Sequence, residues 1–289
     1  MFRYTVRVPQ HAPRASLAVY CRHAFSLLPE RALREAFTAR DVKMDGARCA
    51  KDAPVVPGAE VTVFTPYEAA LPVVFENGRL LAVDKPAGVS CDADAYGSLT
   101  VADWAALQAK GAYTPRLCHR LDNPTSGLLL MAKDAEAEDA LKAMFARHDC
   151  QKTYVCLVRG TPSPRAATRE AWLQKDAKRA RVRVSDRETP GAKPIATAYE
   201  TLRAGGISLL RVTLLTGRTH QIRAHMAHLS HPVLGDDLYG DRDFNRRFGG
   251  GLMLRSAGLT VDTRGALPEC DGLRLAVPYK LDGILEKIQ

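Results

Sequence analysis

The segment from His119 to Leu130 constrains the fold of this chain more than any other. A His-Arg-Leu-Asp run and the turn formers Asn123 to Ser126 stand directly before an apolar run, Gly127 to Ala132. A short apolar run bounded by turn residues predicts a strand that is buried in a sheet. Asp122 is then expected on a loop beside a rigid strand, a position that suits a catalytic carboxylate. Asp-Asn-Pro is also ordinary turn chemistry, so at this point both interpretations of Asp122 stay open.

The remaining patterns predict strands and helices that alternate irregularly. The predicted helices are 101–108 and 134–145, and the predicted strands are 153–159, 196–202 and 208–214. An apolar hairpin around Asn77-Gly78 precedes them, after a linker at 65–71. We therefore predict an α+β fold with a mixed, largely antiparallel sheet, in which 1–66 and 67–289 form separate domains.

The first 66 residues read as a small module of two helices and a hairpin. Ser16 is placed to cap one short helix, and Pro29 begins a second. Asp45-Gly46 is a strong signal for a tight hairpin, and the alternating segment 60–64 predicts a further strand. The module is thus a compact α/β-hairpin domain.

This module resembles the S4-like RNA-binding domain, which was first recognised in a ribosomal small-subunit protein. The matching text is Arg-Asp-Val-Lys-Met-Asp-Gly at 40–46 and Pro-Gly-Ala at 57–59, where Met44 and Ala59 depart from the domain's pattern. The resemblance implies that several cations face RNA phosphate. These cations are Arg31, Arg34, Arg40 and Lys43. A solvated helix face is the alternative explanation for the same charges.

The net charge indicates which class of molecule this protein binds, and the cysteines bear on the cellular compartment in which it is expected. The formal net charge is +9 and the isoelectric point about 9.3, which favours a polyanion such as RNA or DNA as partner. Seven cysteines without a Cys-x-x-Cys pair argue against a disulfide framework and against a thiolate zinc site. No apolar run has the length of a signal peptide or a membrane span, so we expect a cytoplasmic protein.

The segment His119 to Gly127 resembles the signature of the RluA family of pseudouridine synthases, His-Arg-Leu-Asp-x-x-Thr-Ser-Gly, at every fixed position. Four further segments agree with the family in the same order. They are 84–88, 152–160, 216–225 and 231–240. The chain departs from the family's usual residues at Ser90-Cys91-Asp92 and at Leu254-Arg255-Ser256, and these departures concern the choice of substrate rather than the chemistry.

The resemblance implies a cofactor-free and metal-free enzyme that converts specific uridines in structured RNA to pseudouridine. Ribosomal RNA is the expected substrate, and transfer RNA stays open. Asp122 matches the catalytic carboxylate, which either attacks C1′ of the ribose or removes a ribose proton. Arg223 matches the cation that pairs with this carboxylate, and Tyr154 matches the active-site tyrosine. Arg120 would take the place of the flipped base, and Arg218 would contribute to RNA binding.

Three alternatives remain beside this interpretation. Tyr154 could be an ordinary buried strand aromatic, and the whole chain could bind RNA without catalysis. A cluster of histidines suggests a zinc or Asp/His hydrolase instead, with a His-x-x-His pair on one helix turn. The cluster consists of His220, His225, His228 and His231.

A basic segment between residues 159 and 193 carries ten basic and four acidic side chains, a net charge of +6. Its alternating run at 178–183 suggests a hairpin that grips RNA, and an ordinary solvated hairpin is the alternative. The expected partner of the chain is RNA, with no membrane, and the expected state is a monomer.

Overall fold

The structure is a computed structural model that describes residues 1–176 and 181–279. The helices are α1 (Leu17–Ala24), α2 (Glu30–Ala39), α3 (Val101–Ala109), α4 (Ala135–Arg147), α5 (Gln221–His228) and α6 (Arg242–Phe248). The first strands are β1 (Phe2–Arg7), β2 (Val42–Met44), β3 (Ala47–Arg48), β4 (Glu60–Thr65), β5 (Val73–Glu76), β6 (Leu80–Lys85), β7 (Arg116–Leu117) and β8 (Ser126–Ala132). The later strands are β9 (Lys152–Arg159), β10 (Ala166–Asp176), β11 (Arg181–Ser185), β12 (Lys193–Arg203), β13 (Ile207–Leu214), β14 (Leu254–Thr260) and β15 (Arg274–Ala276).

The chain packs into two compact units. The first consists of residues 1–72 and 88–117, and the second consists of 73–87 and the described residues from 118 onward. The chain thus leaves the first unit, forms β5 and β6 in the second, and returns before entering the second unit again. The functional division at residues 66 and 67 stays a prediction. In the described residues, no helix combines the length and the apolar character that crossing a membrane requires.

The first unit is a four-stranded sheet, in the order β1-β4-β2-β3, with helices α1, α2 and α3. Its core includes Leu17 and Tyr20 from α1 and Val61 and Val63 from β4, all of them without solvent exposure. The returning segment 88–117 is tied to α1, because the Tyr20 hydroxyl donates to the Tyr96 carbonyl and the Ser98 hydroxyl to the His23 carbonyl.

The second unit is built on one large sheet, whose main path runs β11-β10-β12-β13-β9-β14-β8-β6-β5, with β15 paired to β14. The pairings along this path are antiparallel except that of β14 with β8, which is parallel. The predicted α+β class with a mixed, largely antiparallel sheet is therefore confirmed.

The apolar run after Asp122 forms β8 and is buried along its whole length from Gly127 to Ala132. One face of β8 packs against α4 through Leu141 and Met144, both without solvent exposure. Gly127 has a φ of +108°, and a Cβ there would lie 2.1 Å from the carbonyl oxygen of Ser256. Only glycine allows this close approach of β8 and β14, at the strand end that carries the Asp122 loop.

The elements predicted from sequence agree with the structure to within a few residues. One turn and one helix cap differ from the prediction. Asp45 and Gly46 both have positive φ, as the predicted two-residue hairpin requires. At Asn77-Gly78 the connection has three residues instead, because the Asn77 side chain accepts hydrogen bonds from the amides of Arg79 and Leu80. Ser16 occupies the N-cap position of α1, but its side chain makes no capping hydrogen bond.

The basic segment does contain a hairpin, formed by β10 and β11. Lys178 and Arg179, which motivated its prediction as an RNA-gripping element, lie outside the described residues. The described part packs on α5 through an apolar cluster. The cluster contains Ala171, Leu173, Val182, Ile195 and Ala224. The loop before α5 lies beside this hairpin, because Gly217, Arg218 and Thr219 line a surface pocket together with Val182.

Candidate active site

The Asp122 loop is fixed by contacts on both of its sides. The Thr125 amide donates to the Asp122 carbonyl at 2.9 Å, which closes the turn. The Lys85 side chain has no solvent exposure, and its ammonium donates to the carbonyls of Asn123 and Pro86. His119 accepts the Leu130 amide, and burial lowers the pKa of this histidine to about 3, so its ring stays neutral. The loop therefore presents Asp122 from a rigid support.

Arg223 on α5 links Asp122 to a second, fully buried carboxylate. Its Nη1 lies 3.2 Å from Oδ2 of Asp122, and its Nε and Nη2 bind the two oxygens of Asp236 at 2.7 and 2.9 Å. The Asp236 side chain is 0% exposed and also accepts the amides of Leu238 and Tyr239. A planar guanidinium with several donors can hold both carboxylates at once, which a lysine cannot.

Burial and charge pairing have opposite effects on the pKa values of Arg223 and Asp236, and the effect of pairing is the larger. Burial by itself lowers the pKa of Arg223, but the hydrogen bond and charge of Asp236 outweigh it, so the pKa is raised. Burial likewise acts to raise the pKa of Asp236, while Arg223 and two backbone amides lower it below its ordinary value. Both groups therefore stay charged near neutral pH.

Asp122 itself is 24% exposed. Oδ2 is bound by Arg223 and lies 3.8 Å from Nε2 of His220. The contacts described for this carboxylate are at Oδ2, which is therefore the oxygen that the protein holds in place.

Tyr154 lies on β9, where its neighbours in the sheet are Val212 on β13 and Ser256 on β14. The ring is 8% exposed. Burial and then the charge of Asp122 raise the pKa of the phenol well above its ordinary value, although a hydrogen bond with Ser256 acts in the other direction. The phenol is therefore protonated across the neutral range and lies in an environment that resists its ionisation.

These side chains line one open pocket, together with two of the predicted RNA-binding cations. The lining comprises Arg120, Leu121, Asp122, Thr125, Tyr154, Leu214, Arg218, His220, Gln221, Ile222, Arg223 and Leu254. The structure thus brings the predicted residues Asp122, Tyr154, Arg223, Arg120 and Arg218 together. Their roles in the reaction remain predictions at this point.

The remaining predicted cations lie in the first unit and have different surroundings. Arg31 is bound to Glu35 at 2.6 Å, and the Lys43 ammonium lies 5.1 Å from the centre of the Phe64 ring. Arg34 is exposed on α2, and Arg40 is exposed just after it. Arg40 also lines a surface pocket with Arg48 and Lys51.

The histidine cluster does not converge on one point. His225 binds the Thr197 hydroxyl, and His228 binds Asp186. His231 binds the Arg159 carbonyl, while His220 binds Tyr239. In the described part of the chain, no three His, Cys, Asp or Glu side chains are grouped to hold a metal ion. Their geometry gives the zinc hydrolase alternative no support.

Sequence reasoning did not assign a role to Lys85, Asp236 or Tyr239, and it considered His220 only within the histidine cluster. All four stand in the segments that carry the family resemblance, so the signal was available. What the sequence does not show is that Asp236 is fully buried and that His220 faces Asp122.

Comparison with known proteins decides the family. The family model described as RNA pseudouridylate synthase matches residues 79–228, which is more than half of the chain and includes Asp122, Tyr154 and Arg223. The chain belongs to the RNA pseudouridylate synthase family.

Several members of the family are similar to it in sequence. Ribosomal large subunit pseudouridine synthase C of Vibrio cholerae is 35% identical over 179 residues, covering 60% of this chain and 54% of that protein. The protein of the same name from Escherichia coli K12 is 34% identical over 176 residues, covering 61% and 55%. An uncharacterized RNA pseudouridine synthase of Mycoplasma pneumoniae is 37% identical, covering 65% and 61%. The match therefore spans a little over half the length of these curated relatives.

Solved structures of the family share the fold. Human RNA pseudouridylate synthase domain containing 4 superposes with a TM-score of 0.62 at 22% identity, covering 75% of this chain and 92% of that chain. Human RNA pseudouridylate synthase domain containing 1 gives 0.57 at 25% identity, covering 78% and 97%. The large mixed sheet is accordingly the sheet of an RNA pseudouridylate synthase.

Proposed function

We propose that this protein is an RNA pseudouridine synthase that isomerises particular uridines in structured RNA, with large-subunit ribosomal RNA as the first substrate to test. The observation that carries the proposal is the arrangement of Asp122, whose Oδ2 is held by Arg223 while the residue lines an open pocket. Two of the similar proteins are named as ribosomal large subunit enzymes, which supports the choice of RNA.

The reaction breaks the bond between C1′ of the ribose and N1 of the uracil. The uracil then turns, C5 bonds to C1′, C5 loses its proton and N1 gains one. Asp122 either attacks C1′ or removes a ribose proton, and both roles need an ionised carboxylate with one available oxygen. Arg223 pairs with this carboxylate in a partly buried site, where an unpaired charge is costly. The proposed reaction requires no cofactor and no metal.

The other pocket residues receive roles that match their chemistry. Tyr154 stacks on the uracil and carries a proton to or from it, because its phenol is protonated and the residue lines the pocket. Arg120 occupies the place that the flipped base vacates, since base flipping costs a few kcal/mol that a stacking guanidinium offsets. Arg218 binds phosphate near the target nucleotide.

Replacing Tyr154 by phenylalanine tests the proton role separately from stacking. Because the ring is retained, we expect RNA affinity within about twofold of wild type. The single-turnover rate constant should fall by about 10²- to 10⁴-fold, the range that general acid–base catalysis contributes. The measurement is single-turnover kinetics at saturating enzyme, and Tyr199→Phe, which removes a buried hydroxyl bound to the Pro164 carbonyl, is the control. Full activity of Tyr154→Phe would leave the residue with a stacking role alone.

We propose that residues 1–66 form an S4-like RNA-binding domain and that 67–289 form the catalytic domain. The two helices, the tight hairpin and the exposed cations on and after α2 support this proposal. Truncation is a poor test, because residues 88–117 pack in the same compact unit as 1–72 and would lose their support. Point substitutions avoid this problem.

The double variant Arg34→Gln, Arg40→Gln tests this domain. We expect its RNA affinity to fall about tenfold near 0.1 M salt, and the slope of log K against log salt to decrease by about 2. Arg22→Gln, which removes an exposed cation on α1 of the same unit, is the control. Filter binding over a series of salt concentrations measures both quantities. An unchanged slope in the double variant would assign these arginines to a solvated helix face.

Pseudouridine mapping of cellular RNA tests the function as a whole. RNA from cells with and without the gene is treated with a chemical adduct that stops reverse transcription at pseudouridine. We expect stops in large-subunit ribosomal RNA to vanish with the gene and to return with wild type. Purified protein added to RNA from the deletion cells should restore the same sites. If the restored sites lie in transfer RNA, the substrate is transfer RNA and not ribosomal RNA. A lack of modification in both experiments would reject the proposed activity.

A further inference from the structure

We propose that His220 is a positioning residue for Asp122, and that Tyr239 fixes the imidazole tautomer that turns Nε2–H toward the carboxylate. This inference takes its catalytic meaning from the proposed function. Its structural content, the tautomer, is testable without any activity.

The imidazole of His220 lies between Asp122 and Tyr239. Its Nε2 is 3.8 Å from Oδ2 of Asp122, and its Nδ1 is 2.8 Å from the Tyr239 hydroxyl. Arg223, one helical turn later, binds the same Oδ2. Arg223 on α5 and His220 at its N-cap therefore both lie near the same carboxylate oxygen of Asp122.

Counting hydrogens favours one tautomer. The Tyr239 oxygen accepts the Val182 amide at 2.9 Å, so its own proton needs a different acceptor. Among the described residues, the acceptor within reach is Nδ1 of His220. A neutral imidazole that accepts at Nδ1 carries its proton on Nε2. That proton then points toward Asp122.

The charges around the imidazole agree with this assignment. A lone pair on Nε2 would face the negative Oδ2 of Asp122, whereas an N–H attracts it. The charged and titratable groups that act on His220 are Asp122, Arg223, Asp236 and Tyr239. Burial lowers the pKa of His220, and Arg223 adds to this while the two carboxylates oppose it. The ring is therefore neutral at pH 7, and its orientation depends on the tautomer.

The backbone holds the ring in this place. His220 is the N-cap of α5 and has a left-handed conformation with a φ of 54°, which non-glycine residues adopt at a cost. The Arg223 guanidinium lies 5.4 Å from the centre of the Tyr239 ring, so the tyrosine also packs against the cation that pairs with Asp122. Val182 belongs to β11. The contacts from Val182 to Tyr239, and from His220 to Asp122, therefore connect the hairpin of β10 and β11 with the carboxylate.

The first test observes the tautomer directly. Nitrogen-15 NMR of the full-length protein without RNA, with labelled histidine, distinguishes a protonated Nδ1 from a protonated Nε2. We expect His220 of the wild type to be protonated at Nε2 above its pKa, and Tyr239→Phe to increase the fraction that is protonated at Nδ1. A wild-type ring protonated at Nδ1 would overturn the inference, whatever activity the protein has.

The second test measures turnover against pH for Tyr239→Phe and wild type. The phenylalanine keeps the ring against Arg223 and removes the hydroxyl, together with its hydrogen bonds to Nδ1 of His220 and to the Val182 amide. Of these two losses, only that at His220 depends on the histidine titration. Above the pKa of His220 we expect kcat to be about three- to tenfold lower, with an unchanged KM for RNA. When the pH falls through that pKa, the ratio of variant to wild type should rise toward one, because an imidazolium donates from both nitrogens.

Two further variants separate positioning from folding. His220→Gln retains a donor but cannot titrate, so its deficit should be several-fold smaller than that of His220→Ala and independent of the histidine titration. Tyr199→Phe, which loses a hydroxyl outside the pocket, should show wild-type kcat at every pH. A Tyr239→Phe deficit that does not change with pH, or an equal deficit in Tyr199→Phe, would refute the proposal. If the wild type forms no pseudouridine, the proposed function fails and the NMR result still decides the tautomer.

Discussion

Asp122→Asn is expected to abolish pseudouridine formation, lowering the rate by about 10⁴-fold or more, the size of effect seen when a nucleophile is removed. The amide has nearly the same shape and can still accept from Arg223, so the pocket stays assembled. It can neither attack C1′ nor take a ribose proton. Because C5 of the target uridine loses its proton, release of tritium from RNA labelled at C5 measures the rate.

The same substitution should leave RNA affinity within about twofold of wild type. Phosphate contacts supply most of the affinity, and removing a negative charge does not weaken them. Glu200→Gln, which removes a carboxylate paired with Arg211 outside the pocket, is the control and should retain full activity. If Asp122→Asn lost binding and folding together with activity, the residue would be structural rather than catalytic. Tritium release at the wild-type rate would remove Asp122 from the mechanism.

Arg223→Met is expected to remove both activity and a substantial part of the stability. The substitution leaves Asp236, with a fully buried side chain, as a charge without its partner. Breaking a buried ion pair from one side costs about 3–5 kcal/mol. Denaturant unfolding should show this loss as a lower midpoint with an unchanged slope, and tritium release should fall by at least about 10²-fold, because Asp122 loses the donor that fixes Oδ2.

A double variant separates the two effects of Arg223. Arg223→Met with Asp236→Asn replaces the buried charges by neutral groups, and the asparagine can still accept the Leu238 and Tyr239 amides. We expect most of the stability to return while activity stays lost. A double variant that recovered activity together with stability would show that Arg223 acts only through folding.

The pH dependence of stability gives an independent check on this pair. The pKa of Asp236 is lowered in the folded protein, so its contribution is complete above the unfolded pKa of about 3.9. The contribution is lost as the pH falls through the lower folded pKa. Unfolding between about pH 5 and pH 2 should therefore show a steeper loss of stability in wild type than in the double variant, which has neither charge.

Local sequence determined much of the fold because each signal acts within a few residues. The apolar run of β8 and the glycine after Asp45 both predict their elements. Asp134, expected as the first residue of α4, is instead its N-cap, and its side chain accepts the Ala137 amide. The element ends were less predictable. Asn77 shows why, since its side chain replaces backbone hydrogen bonds and lengthens the turn by one residue.

The return of residues 88–117 to the first unit had no signature in the sequence. Hydrophobic periodicity identifies a buried face but does not say which other element covers it. The fit of α3 and its flanking loop depends on long-range contacts, such as the Leu99 amide on the Ala24 carbonyl. Such pairings depend on the whole packed chain.

The sequence by itself determined the fold class, the family resemblance and the residues Asp122, Tyr154 and Arg223 as a candidate catalytic set. It could do so because each residue stands in a run of neighbours whose types and spacing are locally readable. Only the tertiary structure decided that Asp236 anchors Arg223, and that His220 and Tyr239 stand behind Asp122. Burial and hydrogen bonding between residues far apart in sequence create those relations, because a charge such as Asp236 is tolerated in the interior only where the fold delivers its partner.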